Sequence, residues 1–141
     1  GAFVAGATFV QLFTKVLIPL ISGTETLIPY PAQGINTLPL WFKLGIAVSL
    51  FSIVPIAEEF LFRGVLYAGL AEAWNKSLAA VATTIMFIAL HPANLGSGNA
   101  LTHLALVLIA ILLMWARVVT KSLYVPVMLH AGFNFSSVFL G

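Results

Sequence analysis

Glu58, Glu59, Arg63, His91, His130 and Asn134 sit in or beside long apolar runs, where ionisable and amide side chains are costly. Groups kept at such depth usually pair with one another or carry function. Glu59 and Arg63 are four residues apart, with the acid on the favourable N-terminal side, so on a helix they share a face and can neutralise each other. Glu58 is the neighbour of Glu59, so it points about 100° away and has no lysine or arginine at its own helical neighbours. The plain reading of Glu59–Arg63 is an ion pair that fixes the helix; Glu58 is left to face a cavity. Phe87 and His91 are also at i and i+4, as are His130 and Asn134. Each of these pairs has a structural reading, as a helix-end hydrogen bond or as an interhelical one. His103 has no partner at helical spacing and reads as structural or interfacial.

One chemistry open to this set is hydrolysis by an activated water. Glu58 can take a proton from water, and a carboxylate drawn out of water is a better base. His91 can hold and orient the same water. His130 and Asn134 can donate to the developing oxyanion, the contribution usually worth most in acyl transfer. A second option is zinc: Glu58, His91 and His130 make a two-histidine, one-carboxylate set with an open position for water, and Glu59 would then serve as base. No HExxH stands on one helix, and the metal-free version is favoured. The chain has no cysteine, which excludes disulfides, thiolate nucleophiles and cysteine-bound metals.

Positioning these residues falls to apolar helices. The 141 residues are 61% hydrophobic and 7% charged, against about 25% charged in soluble domains, so lipid is the solvent the composition fits. The expected fold is all-α: a single membrane domain over 1–141, a polytopic bundle of about five to six helices with the catalytic core on the last four. A helix is expected over 3–22 and a Gly/Pro/Thr/Asn-rich loop over 22–38. Leu38 to Trp74 as one helix would be about 54 Å long, beyond a bilayer core, so it either projects into water or breaks, and Pro55 is the natural break. Asn75–Ser77 reads as a turn, Leu78–Leu90 as a helix reaching His91, and 93–99 as a loop. Leu101–Ala116 is the cleanest span, Arg117–Ser122 a polar turn and Leu123–Leu140 the last span. Lys76, Arg117 and Lys121 then share one side, the cytoplasmic one by the positive-inside rule. A net charge of +2 from scattered residues offers no nucleic-acid surface.

Taken in order, Glu58-Glu59-x-x-x-Arg63 with Gly64, Phe87-x-x-x-His91 and His130-x-x-x-Asn134 resemble the EExxxR, FxxxH and HxxxN motifs of the CPBP family, the CAAX-protease and bacteriocin-processing (Abi) membrane proteins. The resemblance covers about Pro55 to Phe135. It implies an all-helical intramembrane protease of a CAAX-type prenyl-protein or peptide-processing class, acting on a peptide or lipidated protein. It also implies a glutamate-dependent mechanism, with an older reading that is metal-dependent. The expected location is a multi-pass position in the cell membrane of a prokaryote, with lipid as its constant partner. The alternatives are a non-catalytic scaffold or immunity protein of the same fold, or a small proton-coupled transporter. Carboxylate and histidine chains also relay protons, but no second half of the chain resembles the first.

Overall fold

A computed structural model describes residues 1–2, 4–5, 8, 38–91 and 100–139. Regular structure among the described residues is all helical: α1 over Leu40–Ala73, α2 over Lys76–Ala89, α3 over Ala100–Thr120 and α4 over Tyr124–Phe139. Two stretches, Leu40–Ala73 and His103–Thr120, are long and apolar enough to cross a membrane. The expected five to six helices thus appear as four among the described residues. The helix expected over 3–22 lies mostly outside those residues, and so does the loop over 22–38; the loop over 93–99 lies wholly outside them.

Pro55 does not end α1. A proline inside a helix lacks an N–H and presses its ring on the carbonyl four residues back. Here the backbone widens ahead of it into a π-helical stretch, Ser49–Ile53, and the Val54 N–H reaches the Ser49 carbonyl five residues back. A second π-helical stretch, Phe60–Leu66, follows Glu59 and ends with the Tyr67 N–H on the Phe62 carbonyl. Such wide turns let a helix absorb a misfit without breaking. Of the two alternatives, a continuous helix or a break at Pro55, the structure shows the continuous helix, with a change of winding.

Helix ends also differ from expectation, for local reasons. Asn75 is extended and caps α2, its side-chain oxygen accepting the Leu78 N–H at 2.9 Å, so the helix already starts at Lys76. The polar turn expected over Arg117–Ser122 shrinks to the residues after Thr120. Arg117 stays helical, and its Nε donates to the Arg63 carbonyl at 3.0 Å. Lys121 then turns the chain at φ 55°, the left-handed position that often closes a helix. Pro126 falls in the first turn of α4, where its missing N–H has no helical partner to lose.

The chain divides into two compact units, Gly1–Pro55 with Met128–Gly141, and Ile56–Val127. In the second unit Phe62, Phe87, Leu106 and Ala110 form one buried cluster, and Tyr67, Ala79 and Met114 another. A charge is buried against the first. The Arg63 and Glu59 side chains are fully buried, with Nη1 3.2 Å from the Glu59 Oε1. Arg63 Nη2 donates to the Ala110 carbonyl at 3.3 Å, and Cζ stands 4.2 Å over the Phe87 ring. Gly64 permits the approach beside it: a Cβ there would meet Leu123 Cδ1 at 3.2 Å. In the first unit, Phe51 and Phe135 meet edge to face at 5.5 Å. Large apolar side chains such as Ile53, Phe60, Ile85 and Trp115 are more than half exposed, as lipid-facing positions are.

Arg63→Ala would leave the Glu59 carboxylate buried without its cation. The expected loss is about 3–5 kcal/mol of stability, read by thermal melting in detergent; a variant that melts like the parent would remove Arg63 from this role.

Candidate active site

His91 owes its position to the end of α2. The last carbonyls of a helix lack intrahelical donors. In a continuing helix the His91 N–H would bond the Phe87 carbonyl; instead it bonds Ile88 at 3.1 Å, while Leu90 closes on Met86. The Phe87 carbonyl is taken by the imidazole, with Nδ1 at 2.6 Å. A carbonyl oxygen only accepts, so Nδ1 carries the hydrogen and donates. The imidazole also lies on the Phe87 ring, centroids 4.3 Å apart and tilted by 37°. Both contacts are made to the residue four before the His, and the ring contact needs that residue to be aromatic, which gives the i, i+4 spacing a physical cause.

With Nδ1 anchored, Nε2 points at Glu58, 3.6 Å from its Oε2. Both side chains keep about a quarter of their surface open, 22% for His91 and 27% for Glu58. That separation is too long for a direct hydrogen bond. The Oε2 atom itself is enclosed, so a water that reached both atoms would have to part the two side chains slightly. Glu59, one residue on, is fully buried against Arg63 instead. The two adjacent glutamates therefore occupy different surroundings, one committed to a cation and one facing a histidine.

Phe87 joins these two features. Its ring has the Arg63 guanidinium on one contact and the His91 imidazole on another, and it meets Phe62 edge to face at 5.1 Å. A cation against an aromatic face is attractive, more so away from water. The sequence marked Arg63 as the partner of Glu59 alone; its contacts with Phe87 and Ala110, and the Arg117 bond to its carbonyl, were not foreseen. The readable signal for Arg117 was a charge directly following an apolar span with no loop residue beside it.

His130 and Asn134 belong to the first unit. His130 is buried, 6% exposed, and Asn134 is half-buried one turn further along α4. The Asn134 Nδ2 donates to the Leu50 carbonyl at 2.9 Å. One of its two amide hydrogens is thus engaged within its own unit. His103 is half-buried near the start of α3. For the zinc reading, the second unit supplies two donors, Glu58 and His91, and among the described residues no group of three or more His, Asp or Glu is placed to hold a metal. A catalytic zinc takes three protein ligands, so the arrangement of the described residues does not by itself fit one.

A family model described as Type II CAAX prenyl endopeptidase Rce1-like matches residues 39–136. The match takes in every candidate site residue and begins at the start of α1, ahead of the Pro55 start read from the motifs. A curated Escherichia coli protein described as an uncharacterized 24.3 kDa protein is 32% identical over 85 residues. That alignment covers 59% of this chain and 38% of the relative, so the chain spans well under half of that protein's length. No solved structure matches the chain.

The helix-end geometry makes a direct prediction. Nitrogen-15 NMR of His91 should show Nδ1 protonated in both the parent and Glu58→Gln, because the Phe87 carbonyl and not Glu58 holds that hydrogen. A bare Nδ1 in either sample would contradict the assignment.

Proposed function

Because this chain belongs to the Type II CAAX prenyl endopeptidase Rce1-like family and carries two helices able to cross a membrane, we propose that it is an intramembrane endopeptidase that hydrolyses peptide bonds with water held by Glu58 and His91. The observation that carries this is the facing of Glu58 Oε2 and His91 Nε2 with the opposite imidazole nitrogen already tied to a backbone carbonyl. The substrate class is a lipidated protein or an apolar peptide; the two apolar spans support a membrane as its place, and the bacterial source of the relative a prokaryotic one.

A water between Glu58 and His91 has two O–H groups and finds two acceptors, the carboxylate and the Nε2 lone pair. Both hydrogens are then directed at the protein, and a lone pair is left to face the scissile carbonyl. The carboxylate takes one proton as the water oxygen bonds to the carbonyl carbon. The carbonyl oxygen gains the negative charge, which a hydrogen-bond donor stabilises; the motif resemblance assigns that role to His130 and Asn134. The C–N bond then breaks, and the proton on Glu58 passes to the departing amine. Every proton is returned, and Glu58 ends as it began. Glu59 and Arg63 take no part in the bond changes; their pairing holds the helix that bears Glu58.

The test is cleavage of a prenylated peptide with a C-terminal Cys-aliphatic-aliphatic-X sequence, parent against Glu58→Gln. Glutamine keeps the shape and loses the base, so turnover should fall by at least about 10²-fold while melting stays near the parent's. The same assay after rigorous chelation, with metal measured in the sample, separates the zinc version: full turnover without stoichiometric metal supports the water mechanism. Unchanged turnover in Glu58→Gln would remove Glu58 from the chemistry. A parent that cleaves nothing would favour a non-catalytic membrane protein or a transporter.

A further inference from the structure

We infer that Arg117 supplies the hydrogen bond that the wide turn Phe60–Leu66 leaves unmade in α1, and that this bond sets which way Glu58 faces. In that turn each N–H reaches five residues back, and the last of them, on Tyr67, takes the Phe62 carbonyl. Over Tyr67–Ala73 α winding resumes, where an N–H reaches four residues back, as Trp74 does to Leu70. In that register the next N–H, on Ala68, falls to Gly64. The Arg63 carbonyl, between Phe62 and Gly64, is passed over by the change of winding. It is this carbonyl that the Arg117 Nε, 54 residues away in sequence, meets at 3.0 Å. The donor is charged, so the bond is stronger than a neutral one. In hydrocarbon a backbone oxygen without a helical donor must find one on the protein. Arg63 is thus held at both ends, its guanidinium by Glu59 and Ala110 and its carbonyl by Arg117.

A second contact lies beside the first. A Cβ on Gly64 would meet Leu123 Cδ1 at 3.2 Å. The last turn of α3 and the corner after it therefore meet the wide turn at two successive residues, Arg63 and Gly64. What the turn controls is direction. Glu58 precedes it. The part of α1 that follows is tied to α2: Tyr67 packs with Ala79, and the chain turns back at Trp74–Asn75. His91 stands at the far end of α2. A slip of the turn by one residue would rotate Glu58 by about 100° against α2, away from the His91 Nε2 that it faces at 3.6 Å. All of these residues fall within the one compact unit Ile56–Val127. Arg117 is a positioning residue, acting on Glu58 through the Arg63 carbonyl. Its effect on turnover rests on the hydrolytic reading; its effect on how Glu58 faces His91 does not.

The test uses the full chain with Arg117→Met, which keeps an apolar stem and removes every donor. Of the chain's two arginines only Arg63 precedes a glycine. Arginine labelled with carbon-13 at the carbonyl, together with nitrogen-15 glycine, therefore singles out the Arg63–Gly64 peptide bond in NMR. The Arg63 carbonyl carbon should move upfield in Arg117→Met. Because the chain has no cysteine, Glu58→Cys with His91→Cys gives a clean pair for a short bifunctional thiosulfonate. Most of the bridged product formed with Arg117 in place should be lost when Arg117→Met is added. With Glu58 and His91 intact, Arg117→Met should lower kcat at least about tenfold with little change in KM. A carbonyl that does not move, or bridging that stays at its original level, would overturn the inference. If Arg117→Met does not fold, Arg117→Lys is read by the same two signals: carbonyl shift and bridging are kept together or lost together, and either without the other overturns it. Unchanged turnover beside lost bridging leaves the inference standing and counts against the hydrolytic reading instead.

Discussion

The Arg63 guanidinium is a full charge with no exposed surface, and much of the second unit is arranged to satisfy it. An unpaired cation in a low-dielectric interior would cost more than the unit's packing returns. Glu59 supplies the counter-charge from α1, Ala110 a carbonyl from α3, and Phe87 an aromatic face from α2. Arg117 adds a bond to the Arg63 carbonyl. Three helices therefore meet at one side chain. The same Phe87 that faces the guanidinium anchors the His91 imidazole through its ring and its carbonyl. Arg63 and His91 thus share one aromatic ring, while the backbone carbonyl of Phe87 sets the imidazole's hydrogen bond.

Two adjacent carboxylates illustrate how one helix separates roles. Their side chains leave the backbone about 100° apart, so one turn of α1 presents them to different neighbours. Glu59 is sealed against a cation. Glu58 retains an open edge and a titratable neighbour. Pairs of acids with unlike surroundings are a common basis for dividing structural and chemical work within a site.

Spacing within one helix was readable from the sequence, because it depends only on helical geometry. That holds for Glu59 with Arg63 and for Phe87 with His91, and both pairs are in contact. Apolar composition likewise gave an all-helical fold with lengths near those observed. What the sequence did not carry was winding and long-range partnership. Pro55 left a break or a continuous helix open, because the local rule does not foresee the π turn by which the helix continues. Arg117 looked like a turn residue because its acceptor, the Arg63 carbonyl, lies 54 residues earlier. Asn134 looked like a free donor for the same reason, its acceptor being a main-chain oxygen with no sequence signature.

In the proposed chemistry water, not a protein side chain, forms the new bond to carbon. Single-turnover cleavage in H2(18)O, with enzyme in excess over a prenylated peptide, tests this most directly. Mass spectrometry should find one oxygen-18 in the new carboxylate of the product and none in the Glu58 side chain. Unlabelled product, or label carried on Glu58, would mean that the carboxylate itself had attacked, and the water-based mechanism would be wrong.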